Sequence, residues 1–254
     1  MADHRADSAG IPFEGRRFQE NPAAADDGSA PERLIEAVRR LQAGELGIAE
    51  VVAALHPERL LVPLVAERGD EGVGPHGQTV DKTQELSVVT VKGPDGRAAL
   101  PAFTSVAAMQ RWDPLARPIP IQASRIALAA AAEGTPLVVV DPQSDTQFVV
   151  RAPAFRALAT GEDWTPSFED SAVAEAFASS VVGESAVQVI GLAPGDPLAR
   201  LAGPELVVLL QLDPALPEAA RQALLTRLQA RWSADELIAA RVDSIGVRFT
   251  RLTP

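Results

Sequence analysis

The sequence predicts an α+β protein: two domains, each a mixed or antiparallel sheet packed with helices, preceded by an extended N-terminal arm. Three observations predict it. Helical periodicity and short apolar runs of strand length alternate irregularly over residues 31–161. A linker at 162–168, containing Glu162-Asp-Trp-Thr-Pro-Ser167, precedes longer and better separated elements at 169–254. Residues 1–30 are rich in Ala, Asp, Gly, Pro and Glu, and only Ile11, Phe13 and Phe18 could anchor them, too few to bury a core.

The elements come in order along the chain. Pro31 is suited to open a helix, and Leu34, Ile35, Val38 and Leu41 trace one face of it over 32–43. A second helix over 48–55 stops before His56-Pro57, because a residue preceding proline is pushed out of the α region. Residues 59–67 read as an apolar strand whose Pro63 predicts an edge position or a bulge. A Gly-rich loop is expected to about 84, then a hairpin of 86–91 and 98–103 around Pro94-Asp95-Gly96. Thr104-Ser105 starts a helix through Trp112 that Asp113-Pro114 ends. A strand at 118–121, an Ala-rich helix at 123–132, strands at 137–140 and 147–150 and a helix at 154–160 complete the first domain. Beyond the linker, a helix (169–182), two strands (185–193 and 204–212), a helix (216–231), a helical turn (234–240) and a strand (243–250) form an αββαβ string. An antiparallel sheet backed by helices is expected from it.

Composition removes much chemistry. The 254 residues carry 23 Lys+Arg against 34 Asp+Glu, a net charge of −11, with three histidines and no cysteine. Disulfides, thiolate metal sites and cysteine nucleophiles are excluded, and no metal or cofactor is expected. Fixed negative charge repels phosphate backbones, so nucleic acid is not an expected partner. No apolar segment reads as a signal or a membrane span, which predicts a cytoplasmic protein without membrane partners.

Individual motifs resolve to structural readings. Gly72-Val-Gly74-Pro-His-Gly77 spells the dinucleotide fingerprint, but Gln78-Thr-Val-Asp-Lys-Thr83 leads on into a strand instead of a helix, so the motif reads as a loop able to contact a partner. His4, His56 and His76 join no catalytic constellation. Asp-Pro pairs at 113, 141, 196 and 213 read as turn formers. Trp112, Trp164 and Trp232 read as seals at domain edges. Arg221, Arg227, Arg231, Arg241, Arg248 and Arg251 make the C-terminal part locally basic, a solvated face that could meet an acidic partner.

One ordered set of motifs carries a resemblance. Leu61-Val-Pro-Leu-Val-Ala-Glu67, Asp81-Lys82-Thr83-Gln-Glu85-Leu86, Leu100-Pro101-Ala-Phe103-Thr104-Ser105 and Trp112-Asp113-Pro114-x-x-Arg117-Pro118 together resemble the SseB N-terminal domain in its actinobacterial form. Gly10 to Phe18 and Asp26 to Ser29 are similar to the leader of such proteins, and 169–250 is similar, with weaker motifs, to the SseB C-terminal domain. The resemblance implies no enzymatic activity and carries over no catalytic residue.

Three functions remain. The first is a non-catalytic binding or regulatory protein for an unidentified cytosolic protein, with Phe13 and Phe18 of the arm, the 67–84 loop, Glu85 and Trp112 among the contact candidates. The second is a sensor of an amino acid or other small carboxylate, received near Lys82, Thr104 and Ser105, where a cation and helix N-terminal amides could meet it. The third, ranked last, is a hydrolase or transferase using Asp81, Asp141 or Asp145.

Overall fold

The computed structural model describes residues 26–68, 71–73, 79–81, 84–88, 90–93, 95–132, 135 and 137–250. Most of the N-terminal arm, with Phe13 and Phe18, lies outside them, as do Lys82, Gly74 to Gly77 and the side chains of Asp81 and Glu85.

In chain order the elements are α1 (Glu32–Gln42), α2 (Ile48–Leu55), β1 (Arg59–Arg68), β2 (Glu71–Val73), β3 (Thr79–Asp81), β4 (Gln84–Val88), β5 (Val91–Lys92), β6 (Ala98–Ala102), α3 (Val106–Trp112), β7 (Arg117–Gln122), α4 (Ala123–Ala132), β8 (Leu137–Val140), β9 (Phe148–Arg151) and α5 (Ala152–Thr160). Then come α6 (Ser171–Ser180), β10 (Val187–Pro194), β11 (Leu206–Leu212), α7 (Glu218–Ala234), α8 (Glu236–Arg241) and β12 (Ile245–Thr250). The fold class is α+β, with mixed and antiparallel sheets as the periodicity predicts.

Two larger sheets and the two-stranded pair of β2 and β3 serve the first part of the chain. One of the larger sheets has the order β4-β1-β7, and the other β5-β6-β8-β9. These two are stitched together where Leu61 and Phe103 exchange two backbone hydrogen bonds of 2.8 Å. All four residues of β8 and of β9 are buried, which explains the unbroken apolar run of β8 and the Phe148-Val-Val150 run of β9 before the ion-paired Arg151. Helices α1, α2, α4 and α5 close one core over these sheets, with Leu34, Val38, Leu41, Val51, Leu55, Ile126 and Phe155 among its members.

The C-terminal sheet has the order β10-β11-β12. It shares a second core with α6, α7 and α8, built on Phe177, Leu206, Val208, Leu210, Leu228 and Trp232. Trp232 packs against Phe177, with ring centroids 5.3 Å apart and planes tilted by 56°, and donates its indole N–H to Ser180 Oγ at 2.9 Å.

Several expectations need correction. β1 is not an edge strand, because it pairs with β7 on one side and with Phe103 and β4 on the other. Pro63 is accommodated because its nitrogen faces the gap between the Phe103 bridge and the start of β4 pairing at Leu64↔Val88. The edges of this sheet are β4 and β7, and on β7 Pro118 and Pro120 turn their donorless nitrogens outward and deny that edge to another strand. The Gly-rich stretch after β1 contains a short hairpin, β2 with β3, held by backbone pairing that alternation of side chains did not signal. The expected 86–91 strand is split. Gln84–Val88 pairs with β1, and only Val91–Lys92 pairs with β6, so the hairpin shrinks to two residue pairs. The C-terminal sheet is mixed, because the α7–α8 crossover returns the chain to run parallel to β11.

Candidate functional site

β6 and β8 run parallel, with Leu100 opposite Val138 and Ala102 opposite Val140. Parallel pairing puts both C-terminal ends at one side of the sheet, where open α/β sheets bind ligands. Thr104 leaves β6 there, and Asp141 leaves β8. Asp141 Oδ1 accepts the Thr104 amide at 2.8 Å, and its Oδ2 accepts the hydroxyls of Thr104 at 2.7 Å and Thr146 at 2.9 Å. Asp141 and Thr104 are both buried, and the carboxylate is satisfied by donors instead of aimed at a substrate. It fixes the turn 141–147, in which Asp141 and Gln143 have φ of 48° and 64°.

A second loop leans on this turn. Arg200 donates to the Ser144 carbonyl at 3.0 Å, Gln147 Nε2 to the Arg200 carbonyl at 3.3 Å, and the Val149 amide to the Ala199 carbonyl at 2.6 Å. In this loop Ala199 and Leu201 have φ of 49° and 61°. Among the described residues, the four non-glycine residues in the left-handed region are these two and the two of the 141–147 turn. Such conformations cost about 1–3 kcal/mol each and persist where surrounding contacts over-determine them.

The contacts that hold the 195–203 loop are visible. Ala199 enters the first core, and Leu201 packs with Ala99, Leu137, Val139 and Val149. Asp196 accepts the amides of Arg200 and Leu201 at 3.1 and 2.7 Å and pairs with Arg151 at 2.8 Å. Arg151, 6% exposed, also reaches Asp243 at 3.0 Å and the Gly203 carbonyl at 2.8 Å. Arg97 binds the other Asp243 oxygen at 2.9 Å. Burial works against the Asp243 carboxylate, but Arg97 and Arg151 together hold its pKa below the ordinary value. Glu205 is shifted the other way. Burial pushes its carboxyl up, despite hydrogen bonds from the Asp243 amide and the Ser167 hydroxyl.

On its outer side the 141–147 turn borders an open groove. Arg39 and Gln42 of α1 line one wall, Ala108, Arg111 and Trp112 of α3 another, and Pro142 to Thr146 the floor. The Gln42 amide donates to the Asp145 carbonyl and ties α1 to the turn. Trp112 packs on Phe103 at 5.3 Å and keeps part of its indole at the groove. Arg39 and Arg111 sit in the last turns of their helices, where a cation offsets the partial charge of free carbonyls. Neither makes an ion pair with any described residue.

Among the residues singled out in the sequence, Thr104, Ser105 and Trp112 come together around α3, and Glu85 lies in β4, with its backbone paired to Glu67. Ser105 Oγ caps α3 by accepting the Ala108 amide at 3.1 Å, and the Val106 amide donates to the Gly28 carbonyl at 2.9 Å. The end of the chain's own arm thus covers this helix start. Residues 26–29 are held there by Arg59, which binds the Asp26 carboxylate and the Ser29 carbonyl. The locally basic C-terminal part is largely neutralised within the chain: Arg221 pairs with Glu218, Arg227 and Arg231 with Glu184, and Arg241 with Asp170. Sequence reasoning missed Arg39, Arg111 and Gln143, because only the parallel pairing of β6 and β8 brings the α1 and α3 ends to one turn.

Among the described residues no group of three or more His, Asp or Glu is placed to hold a metal ion, and no helix is long and apolar enough to cross a membrane. The arrangement combines an α+β scaffold, an open polar groove and an acidic side chain saturated by structural bonds. Residues 32–157 match the family model described as the SseB protein N-terminal domain, and this half of the chain, which holds the whole groove, is similar to that domain. No curated protein and no solved structure gives a significant match to the chain.

Proposed function

We propose that this protein is a non-catalytic, cytoplasmic binding or regulatory module that engages another protein through the groove between α1, α3 and the 141–147 turn. One observation carries the reading: left-handed non-glycine residues are confined, among those described, to the turn that floors the groove and to the 195–203 loop that braces that turn. Backbone strain gathered at one place is the mark of a site whose shape is held for a purpose. The nearby carboxylate with catalytic potential, Asp141, is buried and fully bonded, which favours binding over chemistry. The groove is also broad and open, unlike the enclosed pockets that bury most of a small ligand's surface. The organisation into an SseB-like N-terminal domain to about 161 and an SseB-like C-terminal domain of actinobacterial type from 169 is part of this proposal, supported by the ordered motifs and by the two separate cores.

A photo-crosslinking side chain in place of the exposed Asp145 tests it in extract of the native cell. A discrete product is expected that is absent when the probe replaces Gln222 on α7 and is lost when Arg111→Glu is added. A product equally strong at both positions, or indifferent to Arg111, would overturn the reading.

A further inference from the structure

We infer that the groove takes an acidic segment of the partner protein, its carboxylates bridging Arg39 and Arg111 across Trp112. The inference rests on the binding reading above and adds the chemistry of the occupant. In a chain of net charge −11 the groove is lined by two exposed arginines and a single acid, Asp145. The nearby arginines that build structure are engaged: Arg59 with Asp26, Arg151 with Asp196 and Asp243, Arg200 with the Ser144 carbonyl. Arg39 and Arg111 are not, within the described residues, and neither is the indole N–H of Trp112. The walls therefore present hydrogen-bond donors: two guanidinium forks suited to bidentate carboxylates, and an indole N–H.

Their arrangement also selects a peptide over a free metabolite. Trp and Arg are enriched among the few residues that dominate protein–protein interfaces once a partner covers them. Trp112 is set rigidly by Phe103 behind it, and Gln42 fixes the wall that carries Arg39 to the floor. A groove open to solvent along its length surrounds little of a small carboxylate but can accept several residues of an extended or helical segment. Nucleic acid would meet the same arginines, but two cations in the groove make no basic stripe long enough to follow a phosphate backbone.

The test uses the full chain and three fluorescent peptides of about eight residues, alternating Ala with Glu, Gln or Lys, with binding read by fluorescence anisotropy in low and moderate salt. Binding of the Glu peptide alone is expected, weakening as salt rises. The variant carrying Arg39→Gln and Arg111→Gln should lose roughly fivefold in affinity, the size of two exposed ion pairs, with at most a small drop in thermal midpoint from the two lost helix-end cations. Arg111→Glu should lose more. Equal binding of the Gln and Glu peptides, no binding of the Glu peptide, or a Glu-peptide affinity indifferent to both variants overturns the acidic occupant. Tighter binding of a single-stranded oligonucleotide than of the Glu peptide also overturns it. If any of these results comes with an intact, Arg111-dependent crosslink at Asp145, the acidic occupant fails and the docking groove stands. Loss of that crosslink as well removes both.

Discussion

At the scale of single residues, the most informative group is one that lies away from the groove. Glu205 is 7% exposed, and its two oxygens accept the Ser167 hydroxyl and the Asp243 amide, yet burial raises its pKa above the ordinary 4.5. The folded state therefore binds this proton more tightly than the unfolded state does. Its contribution is fully present below about pH 4.5 and is lost as pH rises through the raised value. Glu205→Gln keeps an acceptor for the Asp243 amide and carries no charge to bury. The variant is expected to be more stable than the parent at neutral pH, the gap closing toward pH 4, as urea midpoints across that range would show. Asp243, held down by Arg97 and Arg151, behaves oppositely and loses its contribution as pH falls. None of this was legible in sequence, where Glu205 and Asp243 are two acids among 34, and the contact between them spans 38 positions.

At the scale of elements, periodicity and capping were readable because they are local. The 3.6-residue pattern of α1, the apolar runs of β8 and β9 and the Ser105 cap of α3 all stand where the residues place them. Strand partners were not, because pairing is decided by residues far apart. Pro63 suggested an edge from its own chemistry, and only the positions of Phe103 and Val88 reveal that a gap awaits its nitrogen. The same holds for the Thr104–Asp141 bond across 37 positions. Thr104 and Ser105 were legible as chemistry-bearing residues, but not that Asp141 and Gly28 already engage the groups around them. The arm's docking offers a direct check. Gly28 has φ of 76°, and a Cβ there would lie 2.6 Å from Val106 Cγ2. Gly28→Ala should release residues 26–29 from α3 at a cost of about 1–2 kcal/mol. Faster hydrogen exchange at the Val106 amide, with Leu137–Val140 unchanged, is the expected signature.

At the scale of the whole molecule, the 195–203 loop decides how the two cores behave together. It belongs to the connection between β10 and β11, but its Ala199 and Leu201 are buried among residues of the first part of the chain. Gly195 and Gly203 close its neck, where a Cβ on Gly203 would stand 2.7 Å from the Gly195 carbonyl. Arg151→Ala would leave Asp196 and Asp243 buried without their shared cation, a loss of about 3–5 kcal/mol. The parent is expected to unfold in urea in one transition, seen alike by fluorescence and by far-UV dichroism. The variant should show two, and with Trp112 and Trp164 replaced by Phe the fluorescence of Trp232 should report the C-terminal core separately. The bracing has a consequence for how the protein is made. Arg151 finds Asp196 45 positions later, and Gly203 and Asp243 later still. At about 5–20 residues per second, roughly 2–9 seconds pass during synthesis before the first of these partners emerges from the ribosome behind Arg151. Until then the nascent chain carries a cation with no counter-charge beside the uncovered patch of Ala99, Leu137, Val139 and Val149, the kind of surface on which a chaperone acts while translation is still under way.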